Sequence, residues 1–312
     1  LVSSLYLVRW IEYSFVFIIV YNEVSLEKVA DGFSNLSSKL LQILLWGQFA
    51  FVLLGFVQYL LFPNFSSFVV HGWDPHFYRL LSTFLDPNFA GLFIILGAVL
   101  AISLLLFIKM PVTSRFMLAA FVLLAAGAII ITFSRSTYLA FVIAVGLLGI
   151  LRSRRMLLIF GLIAVLSFIF IPRVQTRVIG AVELDVTAKA RLDDYEDAYE
   201  IIAENPILGV GFNTYRYAQD RAGYFQDERG VNTSGGHSGA GVDSSILFIL
   251  ATTGIVGLFI YMAMHIGFVW DAWRAYINRK KSAHIRALGF AVFVSAAALF
   301  AHTQFVNSLF YP

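Results

Sequence analysis

The sequence contains no cysteine, which excludes disulfides, thiol nucleophiles and cysteine-ligated metals, so any domain outside a membrane must hold by packing alone. Charge is nearly as scarce. Only 13% of the 312 residues are Asp, Glu, Lys or Arg, against 59% hydrophobic, and mean hydropathy is +0.80. Too few polar side chains remain to coat a water-soluble globule, and lipid is the expected solvent. The apolar runs do not alternate, which excludes a β-barrel. No Gly-x-x-x-x-Gly-Lys-(Ser/Thr) run is present, so ATP-driven transport lacks its phosphate loop. The net charge of +3 is small and its basic residues sit in short loops, which is no nucleic-acid footprint. No cleavable signal is visible in this sequence. The chain opens with Leu1 inside an apolar stretch and without an initiator Met, which points to preceding residues, with room for further spans.

What is present is a series of apolar runs, each near the roughly 20 residues that cross a hydrocarbon core. They fall at about 1–20, 40–62, 88–108, 116–133, 136–151, 156–171, 244–269 and 287–310 and predict an all-α polytopic transmembrane bundle of about eight helices. Ser134-Arg135-Ser136 then forms a tight turn between two spans. With alternating spans, Lys109 with Arg115, the Arg152/Arg154/Arg155 cluster, and Arg274 to Arg286 all fall on one side, which the positive-inside rule makes cytoplasmic. The expected division is 1–171 transmembrane, 172–243 an external loop domain, and 244–312 transmembrane.

Within that loop, VTAKARLDDYEDAYEIIAENP places Val186, Ala190, Tyr195, Ala198, Tyr199 and Ile202 near helical spacing before Pro206. This predicts an amphipathic helix lying over the bundle. Gly230, Gly235, Gly236, Gly239 and Gly241 give the following stretch the composition of a mobile loop.

Four polar features converge on the expected outer face: Arg79, Arg135, Arg191 and Asp243. Each has a simpler reading. Arg79 near a span end can snorkel to headgroups, and Arg135 can anchor a turn at the interface. Arg191 precedes Asp194 and Tyr195 at i+3 and i+4, the spacing of a surface ion pair. Asp243, just before an apolar run, is placed to cap a helix, as is Asp86 before Pro87 and Asn88. Asp193-Asp194, sequential on a helix, is no metal site, and no metal or other cofactor is expected.

The ordered segments LSTFLDPNFAG after Arg79, TFSRSTYLA around Arg135, ARLDDYEDAYEIIAENPILGVGFNTY, and GVDSSILFILATTGIVGLFIY resemble the O-antigen ligase and O-antigen polymerase family, membrane enzymes of bacterial surface glycan assembly. The likeness covers roughly residues 79–261. Where ligases of that family carry His-Asn, this chain has Asp243-Ser244. The resemblance implies a metal-independent, inverting glycosyltransferase in the bacterial cytoplasmic membrane, with its active site on the periplasmic side. Its donor would be a polyprenyl-pyrophosphate-linked glycan, and its acceptor a glycan, lipid or protein hydroxyl. On that reading Arg135 and Arg191 stabilise the leaving pyrophosphate, with Arg79 as a third contact, because arginine forks bind phosphate oxygens bidentately. Asp243 serves as general base. His237, Tyr195, Tyr199, Asn213 and Tyr215 are the candidates to line the glycan path.

Two rivals stand beside it. A transporter of lipid-linked oligosaccharide would also use many spans, but it calls for paired intramembrane charges, and here His265 and His302 are the main titratable residues within spans. An intramembrane serine protease is suggested by Gly236-His237-Ser238-Gly239 with His302, although that serine precedes its span instead of lying in one.

Overall fold

A computed structural model describes residues 2–26, 35–71, 74–183, 185–225 and 241–309; His237 and the Gly236-to-Gly239 run lie outside them. The described α-helices, in chain order, are α1 (Val2–Leu26), α2 (Asn35–Leu61), α3 (Pro87–Phe107), α4 (Val112–Ile131), α5 (Arg135–Leu151), α6 (Arg154–Phe170), α7 (Pro172–Val182), α8 (Val186–Glu204), α9 (Tyr215–Ala222), α10 (Ser245–Ile277) and α11 (Ala283–His302). No strand occurs among the described residues. The expected spans fall on α1 to α6, α10 and α11. Of these, α2, α3, α4, α10 and α11 are long and apolar enough to cross a membrane. The 17-residue α5 and α6 reach about 26 Å, a little under the hydrocarbon thickness of about 30 Å.

Helix α3 is the axis of the bundle, packed by α2, α4, α5 and α11. In lipid there is no hydrophobic gain from bringing two apolar helices together, so close approach of small residues does the work. A Cβ at Gly91 would collide with Thr137, one at Gly97 with Gln48, and one at Gly289 would stand 2.8 Å from the Ala272 carbonyl oxygen. Ala90, Ala98 and Ala101 of α3 and Ala291 and Ala298 of α11 continue that surface in the buried core.

Successive spans alternate, so the bundle has two chemically different ends. At one, Arg152 donates to the Leu106 carbonyl (3.2 Å) and lies over the Phe107 ring (4.4 Å), while the Tyr276 hydroxyl donates to the Leu151 carbonyl (3.2 Å). This is the end of the basic loops. At the other, the Leu80 N–H donates to the Ile131 carbonyl (3.0 Å) and the Ser245 N–H to the Thr303 carbonyl (2.9 Å). The starts of α3, α5 and α10 meet there.

Helices α8 and α9 cover that second end together with the first turns of α10. Ala198, Ile201 and Ile202 of α8 share a buried cluster with Tyr215, Ala218, Val242 and Ala251. The apolar face of α8 differs from the expected one. Ala198 and Ile202 are buried and Tyr195 half-buried, but Val186, Ala190 and Tyr199 are exposed, and Ile201 takes up the contact instead. The difference arises because α8 touches the bundle along its C-terminal half, while its start is held by charge.

Helix α10 is broken at Gly254, whose φ of 64° is left-handed. The 206–211 turn inserts at this break. Ile255 N donates to Pro206 O (3.0 Å), Val210 N to Ala251 O (2.9 Å) and Gly211 N to Thr252 O (2.9 Å). A side chain at 254 would run into the Ile207 carbonyl. Gly254→Ala is therefore expected to destabilise by more than about 1 kcal/mol, read as a lower thermal midpoint of the purified protein. Gly146→Ala, with open space around its Cβ, should leave that midpoint unchanged or raise it.

Candidate functional site

The end of the bundle under α8 gathers the polar residues that the sequence spreads over some 160 positions. Asp86 caps α3, accepting from Asn88 N (2.7 Å) and Phe89 N (2.9 Å), with Pro87 in the first turn. Asn88 in turn accepts from the Ser134 hydroxyl (2.6 Å) and the Ser136 hydroxyl (3.4 Å), tying the Asp-Pro-Asn segment to the Ser-Arg-Ser turn. Ser134 caps α5 and presents Arg135 at its first position. A cation there opposes the helix dipole, so Arg135 needs an anion.

That anion is Asp185, the N-cap of α8. Arg135 grips the carboxylate with both terminal nitrogens, Nη1 at 2.9 Å from Oδ1 and Nη2 on Oδ2. Its Nε donates to the Arg177 carbonyl (3.0 Å) and Nη1 also reaches Thr187 Oγ1 (3.2 Å). The Arg135 hydrogen bonds hold the Asp185 carboxyl well below the usual carboxylate range. Gly180 makes room for the pair, since a Cβ there would lie 2.8 Å from Asp185 Oδ2.

Less than two turns further along α8, Arg191 Nε donates to Asp243 Oδ2 at 3.0 Å. Both simpler readings of these residues are corrected. Arg191 pairs across 52 positions instead of with Asp194, and α10 is capped by Ser244, whose hydroxyl accepts from Leu247 N. Asp243 stands one residue before the cap with its carboxylate half-exposed. Tyr195 braces the same spot, its hydroxyl 2.6 Å from the Gln304 carbonyl oxygen and 3.1 Å from that of Asp243, donating to one at a time. Burial pushes its phenol up to about 12.

Arg79 does not snorkel. Its Nε donates to the Thr132 carbonyl (2.8 Å) and Nη2 to the Phe133 carbonyl (3.3 Å) at the end of α4. Gln58 of α2 fixes the segment around it, accepting from Leu81 N (2.8 Å) and donating to the Arg79 carbonyl (3.3 Å). Burial, then repulsion from Arg177, lowers the Arg79 guanidinium to about 9. His76 is lowered to about 4 by burial and by the charges of Arg79 and Arg177. Burial raises the Asp86 carboxyl, against the lowering effect of the Phe89 N–H, the Arg79 charge and the Asn88 N–H.

The remaining candidates lie apart. Tyr199 is on the exposed side of α8. Asn213 is half-buried with a left-handed φ of 52° in the turn before α9. Tyr215 is corrected: it is 1% exposed and packs on Phe248, so it is a core residue that cannot line a path. His302 is fully buried, its Nδ1 2.7 Å from Ser308 Oγ.

Two residues were not singled out in the sequence. Arg173 and Arg177 sit one turn apart on α7, beside Arg79 and Arg135. Their signal was a pair of arginines four residues apart at the end of an apolar run.

Residues 119–262 match the family model described as O-antigen ligase, a stretch that runs from α4 through α8 and α9 into α10 and includes Arg135, Arg191 and Asp243. No curated protein matches the chain.

Asp194 supplies a test of the electrostatics around the Arg191–Asp243 pair. Partial desolvation, then the carboxylates of Asp243 and Asp197, push its carboxyl from 3.8 up to about 6. The folded protein thus binds more protons than the unfolded chain between about pH 4 and 6. The cost is present above pH 6 and disappears as pH falls toward 4. Asp194→Asn should raise the thermal midpoint at pH 7, with the gain vanishing near pH 4; an equal gain at both would show that Asp194 carries no such strain.

Proposed function

From the match of residues 119–262 to the O-antigen ligase family model, we propose that this chain transfers a glycan from a polyprenyl-pyrophosphate carrier to an acceptor hydroxyl, at the bundle end covered by α8. The observation that carries the reading is the Arg191–Asp243 contact, which joins two of the family-like motifs in one ion pair. Arg135, through Asp185, holds the same helix a few residues away.

In the proposed reaction the acceptor oxygen attacks the anomeric carbon of the donor sugar. The bond from that carbon to the pyrophosphate oxygen breaks, and its electron pair leaves with the pyrophosphate. The acceptor proton passes to the Asp243 carboxylate. In-line attack inverts the anomeric centre and needs no second carboxylate. The negative charge that grows on the leaving group is met by Arg191 and Arg135, with Arg79 nearby, through charge-assisted hydrogen bonds in a partly desolvated site. No step calls for a metal.

The resting pairs have a mechanistic meaning on this reading. In the resting structure Arg191 Nε occupies Asp243 Oδ2; when pyrophosphate draws Arg191 toward itself, that oxygen is freed for the acceptor hydroxyl. The half-exposed carboxylate is open to an acceptor. The basic loops at the opposite end support a cytoplasmic assignment for that end and a periplasmic one for this site.

Asp243→Asn separates chemistry from structure, because α10 keeps its Ser244 cap. Glycan transfer by the purified protein, followed as release of the polyprenyl-pyrophosphate product, should fall by about 10²-fold or more with donor binding retained. Wild-type turnover in Asp243→Asn would remove it as the base.

A further inference from the structure

Helix α7 leaves the bundle sideways: the axis turns by 97° between α6 and the helical run after Pro172. Its Val178, Ile179 and Val182 are exposed while Val174 and Gly180 are buried, the pattern of a helix lying at a lipid surface. Its two arginines do different things. Arg173 is a clamp: Nη1 and Nη2 donate to the Tyr78 and Phe77 carbonyls, both at 2.7 Å, and the guanidinium lies 4.5 Å from the centre of the Phe133 ring. Arg177 lends only its carbonyl, which receives Arg135 Nε. Among the described residues its half-buried guanidinium makes no hydrogen bond and no ion pair within 4.0 Å.

Around it guanidinium groups outnumber carboxylates. Arg79, Arg135 and Arg173 all lie close enough to disfavour neighbouring charge, and Arg177 repels Arg79 more than any other group does. The carboxylates near enough to offset them are committed, Asp185 to Arg135 and Asp86 to the start of α3. The first turns of α5 and α7 add the positive ends of two helix dipoles. A cation with unused donors, held among other cations at a lipid surface, is arranged for a polyanion that the protein does not itself supply. A diphosphate fits, with several oxygens to span more than one fork.

We propose that Arg177, flanked by Arg79 and Arg173, is a further donor-binding residue that receives the diphosphate of the lipid-linked substrate at the membrane surface. The substrate identity rests on the glycan-transfer reading; the anion seat itself does not. Arg177 then holds the diphosphate from the side of α7, next to Arg135, whose Nε donates to the Arg177 carbonyl, and the apolar flank of α7 lies along the prenyl chain.

The full chain in zwitterionic lipid nanodiscs should bind inorganic pyrophosphate and farnesyl pyrophosphate in calorimetry. Arg177→Ala should weaken both by about tenfold or more, the loss typical of a charge-assisted contact. Arg177→Lys, which keeps charge but not the fork, should lie between, and Arg115→Ala at the opposite end should match wild type. The proposal fails if wild type binds neither probe, if Arg177→Ala binds them as wild type does, or if phosphatidylglycerol displaces them at equal headgroup concentration, which would make the seat a general lipid-headgroup site. Binding that responds to Arg177 in a protein that moves no glycan would retire the transfer reading and leave the seat standing.

Discussion

Two guanidinium–carboxylate pairs fasten α8 to the bundle, and the polar end of the molecule takes its form from them. Arg135 holds the first turn of α8 through Asp185, and Arg191 holds the second through Asp243. Apolar contact secures only the C-terminal half of the helix, through Ala198, Ile201 and Ile202. Exposed ion pairs contribute little, at most about 1 kcal/mol each, yet these are partly shielded, and Arg135–Asp185 is bidentate. A helix held by charge at one end and by packing at the other can yield at the charged end without leaving its seat.

On the proposed glycan-transfer reading that division matters, because an anionic donor would compete for the same guanidinium groups. A diphosphate entering beside α8 would offer Arg191 and Arg135 a partner of higher charge than either aspartate. The cations are already crowded: burial first, and then the charge of Arg177, lowers the Arg79 guanidinium to about 9, and burial first, then the charges of Arg79 and Arg177, lowers His76 to about 4. Binding an anion relieves this repulsion as well as adding contacts, which is how a fold can favour a polyphosphate without a metal.

Much of the bundle was legible in the sequence because its signals are local. The length of an apolar run, the Asp before Pro87 and the side on which basic loops fall each depend on neighbouring residues. The site was legible in part. Asp243 and Arg191 could be singled out, but their pairing across 52 positions is a tertiary fact that no spacing rule encodes. Asp243 read as a cap because Asp and Ser are equally good caps, and the sequence does not say which of two adjacent residues takes the extended conformation. Tyr215 read as a possible contact because an aromatic near Asn213 looks accessible until Phe248 and Val242 cover it. Arg177 was passed over because its significance lies in the absence of a partner.

The interlock at Gly254 has a further consequence for the chain between it and Pro206. Backbone hydrogen bonds from 210, 211, 255 and 256 clamp the two ends of that excursion against each other. Between them α9 is fixed as well, through Tyr215 and Ala218 in the shared buried cluster, and its Gln219 closes a second ring, accepting from Gly241 N (2.9 Å) and donating to the Gly241 carbonyl (3.2 Å). Asp243 follows directly on that inner closure, so its place is set by backbone contacts on two sides and not by the side chains of any one helix.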